Sequence, residues 1–120
     1  MTSSEYDLGP VGDFAEGRPR RVEVAGRGVV VVQSEGVFYG LRDACPHQGA
    51  RLSAGQVGGT ALPCRPGEQA SYGRVGQLIS CPWHGWQYDL ATGRALVEPE
   101  RFRVRSYRVE VRAGRVWLLL

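Results

Sequence analysis

The sequence has no lysine, no asparagine and a single isoleucine, Ile79. All fifteen basic side chains are therefore arginine, the usage expected of a GC-rich coding sequence. The formal net charge is only +3, and acidic residues are interleaved with the arginines, which excludes a basic nucleic-acid arm. No long apolar run is present. The longest, Gly28 to Val32, is far too short to span a bilayer. The N-terminus lacks a basic start followed by an apolar stretch, so no secretory signal is read and a cytoplasmic location is expected. Three cysteines, an odd number, argue against a disulfide framework.

What is present favours strands. Glycine numbers 17 and proline 7, valine is frequent, and no amphipathic helical period appears. At 120 residues the chain is expected to form one domain, 1–120, which buries roughly two-thirds of its unfolded surface. Residues 1–10 read as a flexible lead-in, and Val11 to Gly17 as a turn-rich entry anchored by Phe14. Arg21 to Val24 alternates like a half-buried strand, and the four valines within Gly28 to Gln33 suit a strand buried on both faces. Ser34-Glu35-Gly36 reads as a three-residue hairpin loop into Val37 to Leu41. Ala50 to Gly59 looks like loop, and 61–76 like an inserted surface loop. Short strands follow at Gln77 to Ser80, Trp86 to Leu90 and Arg94 to Val97, with Glu98 to Glu100 as a linker. A final hairpin runs from Val104 through Val111, turns at Ala113-Gly114 and returns over Val116 to Leu120. The expected fold is all-β, a small antiparallel barrel or sandwich with two metal-binding loops between strands.

Those loops are Cys45-Pro46-His47-Gln48-Gly49 and Cys81-Pro82-Trp83-His84-Gly85-Trp86. They hold both histidines of the chain, each within three residues of a cysteine. Thiolate and imidazole together suit zinc or iron–sulfur chemistry rather than calcium or magnesium. The Cys45-x-His47 spacing is awkward for one ion, and two facing loops clasp an elongated two-metal object more easily. Pro46 and Pro82 stiffen the loops. Gly49 and Gly85 allow sharp turns and leave N–H groups free to face negatively charged sulfur.

The two motifs, with Gln87-Tyr88-Asp89 after the second, resemble the cluster-binding motifs of Rieske [2Fe–2S] domains over nearly the whole chain. The resemblance implies that Cys45 and Cys81 ligate one iron and that His47 and His84 ligate the other. In cytochrome bc complexes the family adds a cysteine to each loop, forming a disulfide; here Gly49 or its neighbours and Trp83 stand at those places. Trp86 replaces a serine whose hydroxyl lies near a bridging sulfide there. Tyr88 matches the family's tyrosine, which donates to a cysteine sulfur. Fewer donors imply a potential near the low end of the roughly −150 to +300 mV Rieske range. The thirty-three residues between His47 and Cys81 are about twice the family's usual number, and the excess maps onto Ala61 to Gly76.

The resemblance implies a ferredoxin-type carrier. It would move single electrons from a reductase to an oxygenase or other acceptor by transient docking, with no nucleic acid or membrane, and would not itself be an enzyme. The alternatives are a Rieske subunit or fragment of a ring-hydroxylating oxygenase, a nitrite reductase small subunit, and a structural zinc module. An oxygenase needs further histidines for a mononuclear iron, and both histidines of this chain are already used. Cys64 reads as a free or partly buried thiol. Arg42, Arg51 and Arg65 read as solvated surface before they read as a basic rim. Trp83 and Trp86 either shield the cluster or pack the framework.

Overall fold

The valine run builds the centre of the molecule. In the computed structural model, which describes residues 4–46, 49–61, 65–69, 71–82 and 85–120, Val29, Val30, Val31 and Val32 are all almost fully buried. Successive side chains on a strand point to opposite faces. Val29 and Val31 accordingly join Phe14, Val24, Phe38, Val116 and Leu118 in one apolar cluster, while Val30 and Val32 join Leu41, Leu52, Ile79 and Leu90 in a second. Each buried valine contributes roughly 1.5 kcal/mol or more. One strand therefore anchors two cores.

Among the described residues nine strands run in chain order: β1 Glu5–Pro10, β2 Arg20–Val24, β3 Arg27–Ser34, β4 Val37–Arg42, β5 Gln56–Ala61, β6 Tyr72–Ser80, β7 Gln87–Asp89, β8 Ser106–Arg112 and β9 Arg115–Leu119. The only helical elements among the described residues are 3-10 turns at Val11–Asp13 and Leu52–Ala54. An antiparallel, barrel-like sheet has the order β1-β9-β8-β4-β3-β2. A smaller sheet, β5-β6-β7, contributes Ile79 and Tyr88 to the second core. The fold is all-β, as the sequence led one to expect. No helix among the described residues is long and apolar enough to cross a membrane.

Several local expectations are corrected. The lead-in is strand from Glu5 onward: β1 pairs with β9 from Glu5↔Leu119 to Pro10↔Arg115. Its apolar signal is weak because it is an edge strand with mostly half-exposed side chains. Arg112 pairs with Glu5 and Arg115 with Asp7 along that edge. The stretch before the insertion is not all loop, since Gln56 opens β5. Gly58 and Gly59 carry no side chains to alternate, and the register shifts between Gly58 and Thr60, so periodicity cannot find this strand. The ends of the 61–76 stretch are also strand, with Thr60 opposite Gly73 and Ala61 opposite Tyr72. The β3–β4 turn has two residues, Glu35 and Gly36, both at positive φ, with Ser34 still paired to Val37. Arg94 to Val97 makes only isolated bridges, Tyr88↔Ala95 and Arg94↔Arg103. Val104 precedes β8 and is buried, its N–H donating to the Gly93 carbonyl at 2.7 Å.

Candidate metal centre

β4 ends at Arg42 and β6 at Ser80, and each strand runs almost directly into a cysteine. The two loops that follow are closed in the same way. The Cys45 N–H donates to the Ala50 carbonyl at 2.7 Å, and the Cys81 N–H donates to the Trp86 carbonyl at 2.7 Å. In both cases the acceptor lies five residues on. Gly49 and Gly85 occupy the fourth place after each cysteine, with φ of 74° and 67°. That left-handed conformation is cheap for glycine and strained for other residues. The first loop adds a bond from Gly49 N–H to the Cys45 carbonyl at 2.6 Å.

Both thiols face inward. Cys45 is 1% exposed and Cys81 is 3% exposed, and both belong to the apolar cluster that contains Val30, Leu41, Ile79 and Tyr88. The Tyr88 hydroxyl lies 3.1 Å from Cys45 Sγ. Tyr88 is fully buried on β7, opposite Ile79 of β6. Burial pushes its phenol well above the ordinary value, and the hydrogen bond to Cys45 and the charges of both cysteines add to the shift. A coordinating thiol carries no proton. With Cys45 as a metal ligand, the phenol would be the donor to sulfur. Trp86 packs edge-on against Phe102, with ring centroids 4.7 Å apart, beside this core.

The site also depends on a residue that sequence reasoning missed. Asp43, two places before Cys45, is 4% exposed. Its carboxylate accepts from Ser53 N–H at 2.7 Å, from Ser53 Oγ at 2.6 Å and from Arg21 Nη1 at 2.9 Å. It therefore ties the start of the first loop to β2 and to the 3-10 turn at Leu52–Ala54. A lone Asp before Cys-Pro-His has no motif value of its own. The available signals were its place at the end of a strand and the Ser53 that follows the loop. Gly55 does comparable work for the second loop: a Cβ there would stand 1.7 Å from the Ser80 carbonyl oxygen, so the chain crosses tightly against the residue before Cys81.

Of the residues singled out by sequence, the structure brings Cys45, Cys81 and Tyr88 into one buried group, with Trp86 at its edge and Gly49 and Gly85 in the loop turns. His47, His84, Trp83 and Cys64 lie outside the described residues. Arg42, Arg51 and Arg65 are all exposed.

Two buried cysteines on matched loops, in apolar surroundings and with a phenol on one sulfur, are a donor set suited to an iron–sulfur group. Comparison with known proteins agrees. The family model of the Rieske [2Fe-2S] domain matches residues 4–108. The ferredoxin component of naphthalene 1,2-dioxygenase/salicylate 5-hydroxylase systems from Ralstonia sp. is 29% identical over 118 residues, covering 98% of this chain and 97% of that protein. A chain in the complex of reduced oxygenase and oxidized ferredoxin in carbazole 1,9a-dioxygenase superposes with a TM-score of 0.73 at 27% identity, covering 95% of this chain and 91% of that one. A putative NADH-dependent nitrite reductase small subunit from Mycobacterium tuberculosis shares the fold, with a TM-score of 0.79 at 22% identity over 100% of this chain and 97% of that one. The chain belongs to the Rieske [2Fe-2S] domain family.

Proposed function

We propose that this chain is a Rieske ferredoxin, a one-electron carrier that accepts from a reductase and delivers to an oxygenase or another oxidoreductase. The observation that carries the reading is the matched pair of buried cysteines, each on a loop closed by the same backbone bond, with Tyr88 on Cys45 Sγ. Similarity along nearly the full length of a dioxygenase ferredoxin component supports the same role. The chain forms a single domain, and 61–76 is an insertion that leaves the ligand loops intact, since loop-closure cost rises slowly with length.

The ligands we assign are Cys45 and Cys81 to one iron and His47 and His84 to the other, around one [2Fe–2S] cluster per chain. When bound, such a cluster supplies a one-electron couple. The protein's own residues do the rest. Cys45 and Cys81 present thiolates from a dry core that excludes water from the sulfur side. The Tyr88 hydroxyl holds its proton toward Cys45 Sγ and so favours the more negative, reduced state. Asp43 fixes the approach to the first loop. These 120 residues contain no histidine beyond the two assigned, so they supply no mononuclear iron site of the oxygenase kind. The nitrite reductase likeness rests on fold alone.

The test is an anaerobic optical and EPR redox titration of the purified protein, with iron and acid-labile sulfide assayed. A coloured protein with a reducible [2Fe–2S] signal and a potential at or below zero is expected. A colourless protein holding zinc and no sulfide would overturn the assignment, and a potential well above zero would overturn the low-potential expectation.

A further inference from the structure

Two hollows meet beside the first cysteine loop. One, of about 520 Å³, is lined by Arg42, Ala44, Pro46, Arg103, Val104 and Arg105. The other, of about 310 Å³, is lined by Gly26, Arg27, Gly28, Arg42, Arg105 and Tyr107. They share Arg42 and Arg105 and form a continuous groove. Its walls carry four arginines and no carboxylate.

The groove differs from the rest of the surface in how its charge is balanced. Elsewhere seven of the other eleven arginines stand against acids: Arg21 with Asp43, Arg65 with Glu68, Arg74 with Asp89, Arg101 with Glu98, Arg108 with Glu110, Arg112 with Glu5 and Glu110, and Arg115 with Asp7, while Arg18, Arg20, Arg51 and Arg94 line neither hollow. Among the described residues Arg27, Arg42, Arg103 and Arg105 form no ion pair, and all four are exposed. The Arg105 guanidinium instead lies over the Tyr107 ring, 5.3 Å from its centroid and within the roughly 6 Å reach of a cation–π contact. Like charges gathered without counter-charges repel one another, and they raise the local concentration of an oppositely charged partner. Guanidinium groups also present paired N–H donors matched to carboxylates.

Position supplies the second half of the argument. Ala44 and Pro46, which flank Cys45, are part of the groove wall. A partner seated there lies against the first loop, where electron exchange would occur. We propose that this arginine groove is the docking surface for a redox partner protein that presents a cluster of carboxylates. The proposal rests on the electron-carrier reading above and adds the charge of the partner's face. Protein is favoured over nucleic acid because the groove is short and most arginines outside it stand against acids.

The test uses the full chain with its cluster, mixed in stopped flow with two reductants. One is reduced plant-type ferredoxin, an acidic protein whose potential lies below the Rieske range. The other is the methyl viologen radical cation, small and positive. Arg42→Gln/Arg105→Gln should slow reduction by the acidic ferredoxin about fivefold or more at low salt and flatten its salt dependence, within the range of electrostatic steering. Reduction by viologen should be unchanged or faster. Arg18→Gln/Arg112→Gln removes the same charge from residues that line neither hollow and should change neither rate by more than about twofold. If the first variant loses its cluster, Arg27→Gln/Arg103→Gln carries the same expectation. Equal losses in the groove and remote variants overturn the proposal, as does an unaltered ferredoxin rate in the groove variant. Tight binding of a DNA duplex that blocks reduction by ferredoxin would reassign the groove to nucleic acid. A wild-type protein with no reducible cluster would instead sink the carrier reading itself, so the two failures are distinguishable.

Discussion

The two cysteine loops share one backbone plan and differ in what braces them. In each, the cysteine N–H reaches the carbonyl five residues on, and glycine turns the chain at the fourth place. The first loop is held by a buried carboxylate, with Asp43 gripping Arg21 and Ser53. The second is held by shape: Gly55 presses against the Ser80 carbonyl, and Trp86 packs edge-on against Phe102. A closure set by local backbone geometry can thus be repeated, while its support is recruited from whatever the surrounding fold offers.

The largest expected effect treats the loops alike. His47→Ala and His84→Ala should each abolish or convert the Rieske-type optical and EPR signals, whereas Cys64→Ser should leave them intact. A normal spectrum from either histidine variant would remove that loop from the ligand set. The next pair separates the loops. Asp43→Ala leaves the Arg21 guanidinium without its buried partner and should cost about 3 kcal/mol. Gly55→Ala forces backbone apart at Ser80 and should cost roughly 2 kcal/mol or more. Urea unfolding followed by circular dichroism gives both values. Asp43→Asn, which keeps the shape but not the charge, should remain destabilised by about 1 to 3 kcal/mol, the order of hydrogen bonds made to a charged group. If Asp43→Asn were neutral, the first loop would be braced by shape as well, and the contrast would fail.

How much of this was legible beforehand follows from the kind of interaction involved. The terminal hairpin was readable because half-burial imposes a period on side chains, and the strand of four valines because an unbroken β-branched run suits burial on both faces. The two Cys/His motifs stood out because metal coordination would fix residue type and spacing together. β1 and β5 were not: one is an edge strand held by ion pairs to distant arginines, and the other passes through Gly58-Gly59. Tyr88 was legible only through family resemblance, but its contact with Cys45 needs the fold, because 43 residues separate them. Asp43 and Gly55 escaped for the same reason. Their partners, Arg21 and Ser80, lie in other strands, and no spacing within the motif encodes them.

Tyr88→Phe sharpens the comparison chemically. The phenol touches Cys45 of the first loop. Removing it should lower the potential by roughly 60 mV, one tenfold change in a one-electron couple and about 1.4 kcal/mol. The cluster's optical spectrum should survive. An unchanged potential would mean that the bond does not discriminate between oxidation states.

The smallest effect lies far from both loops, along the β1 edge. Arg112 and Arg115 hold the carboxyls of Glu5 and Asp7 below their ordinary values of 4.5 and 3.8. A carboxylate with a depressed folded pKa stabilises the fold fully above its unfolded pKa, and that contribution disappears as pH falls through the folded value. Docking of β1 on β9 should therefore be constant from pH 7 down to about 5 and weaken below about 4. Both groups are exposed, so the change should be small and should shrink further in high salt. Hydrogen-exchange protection of the β1 amides, compared with that of β3 at each pH, measures it. β1 protection should fall first, because β3 is buried on both faces and carries no titrating pair of this kind. Parallel loss in both strands would mean that acid acts on the fold as a whole, and the edge would then have no separate electrostatic clasp.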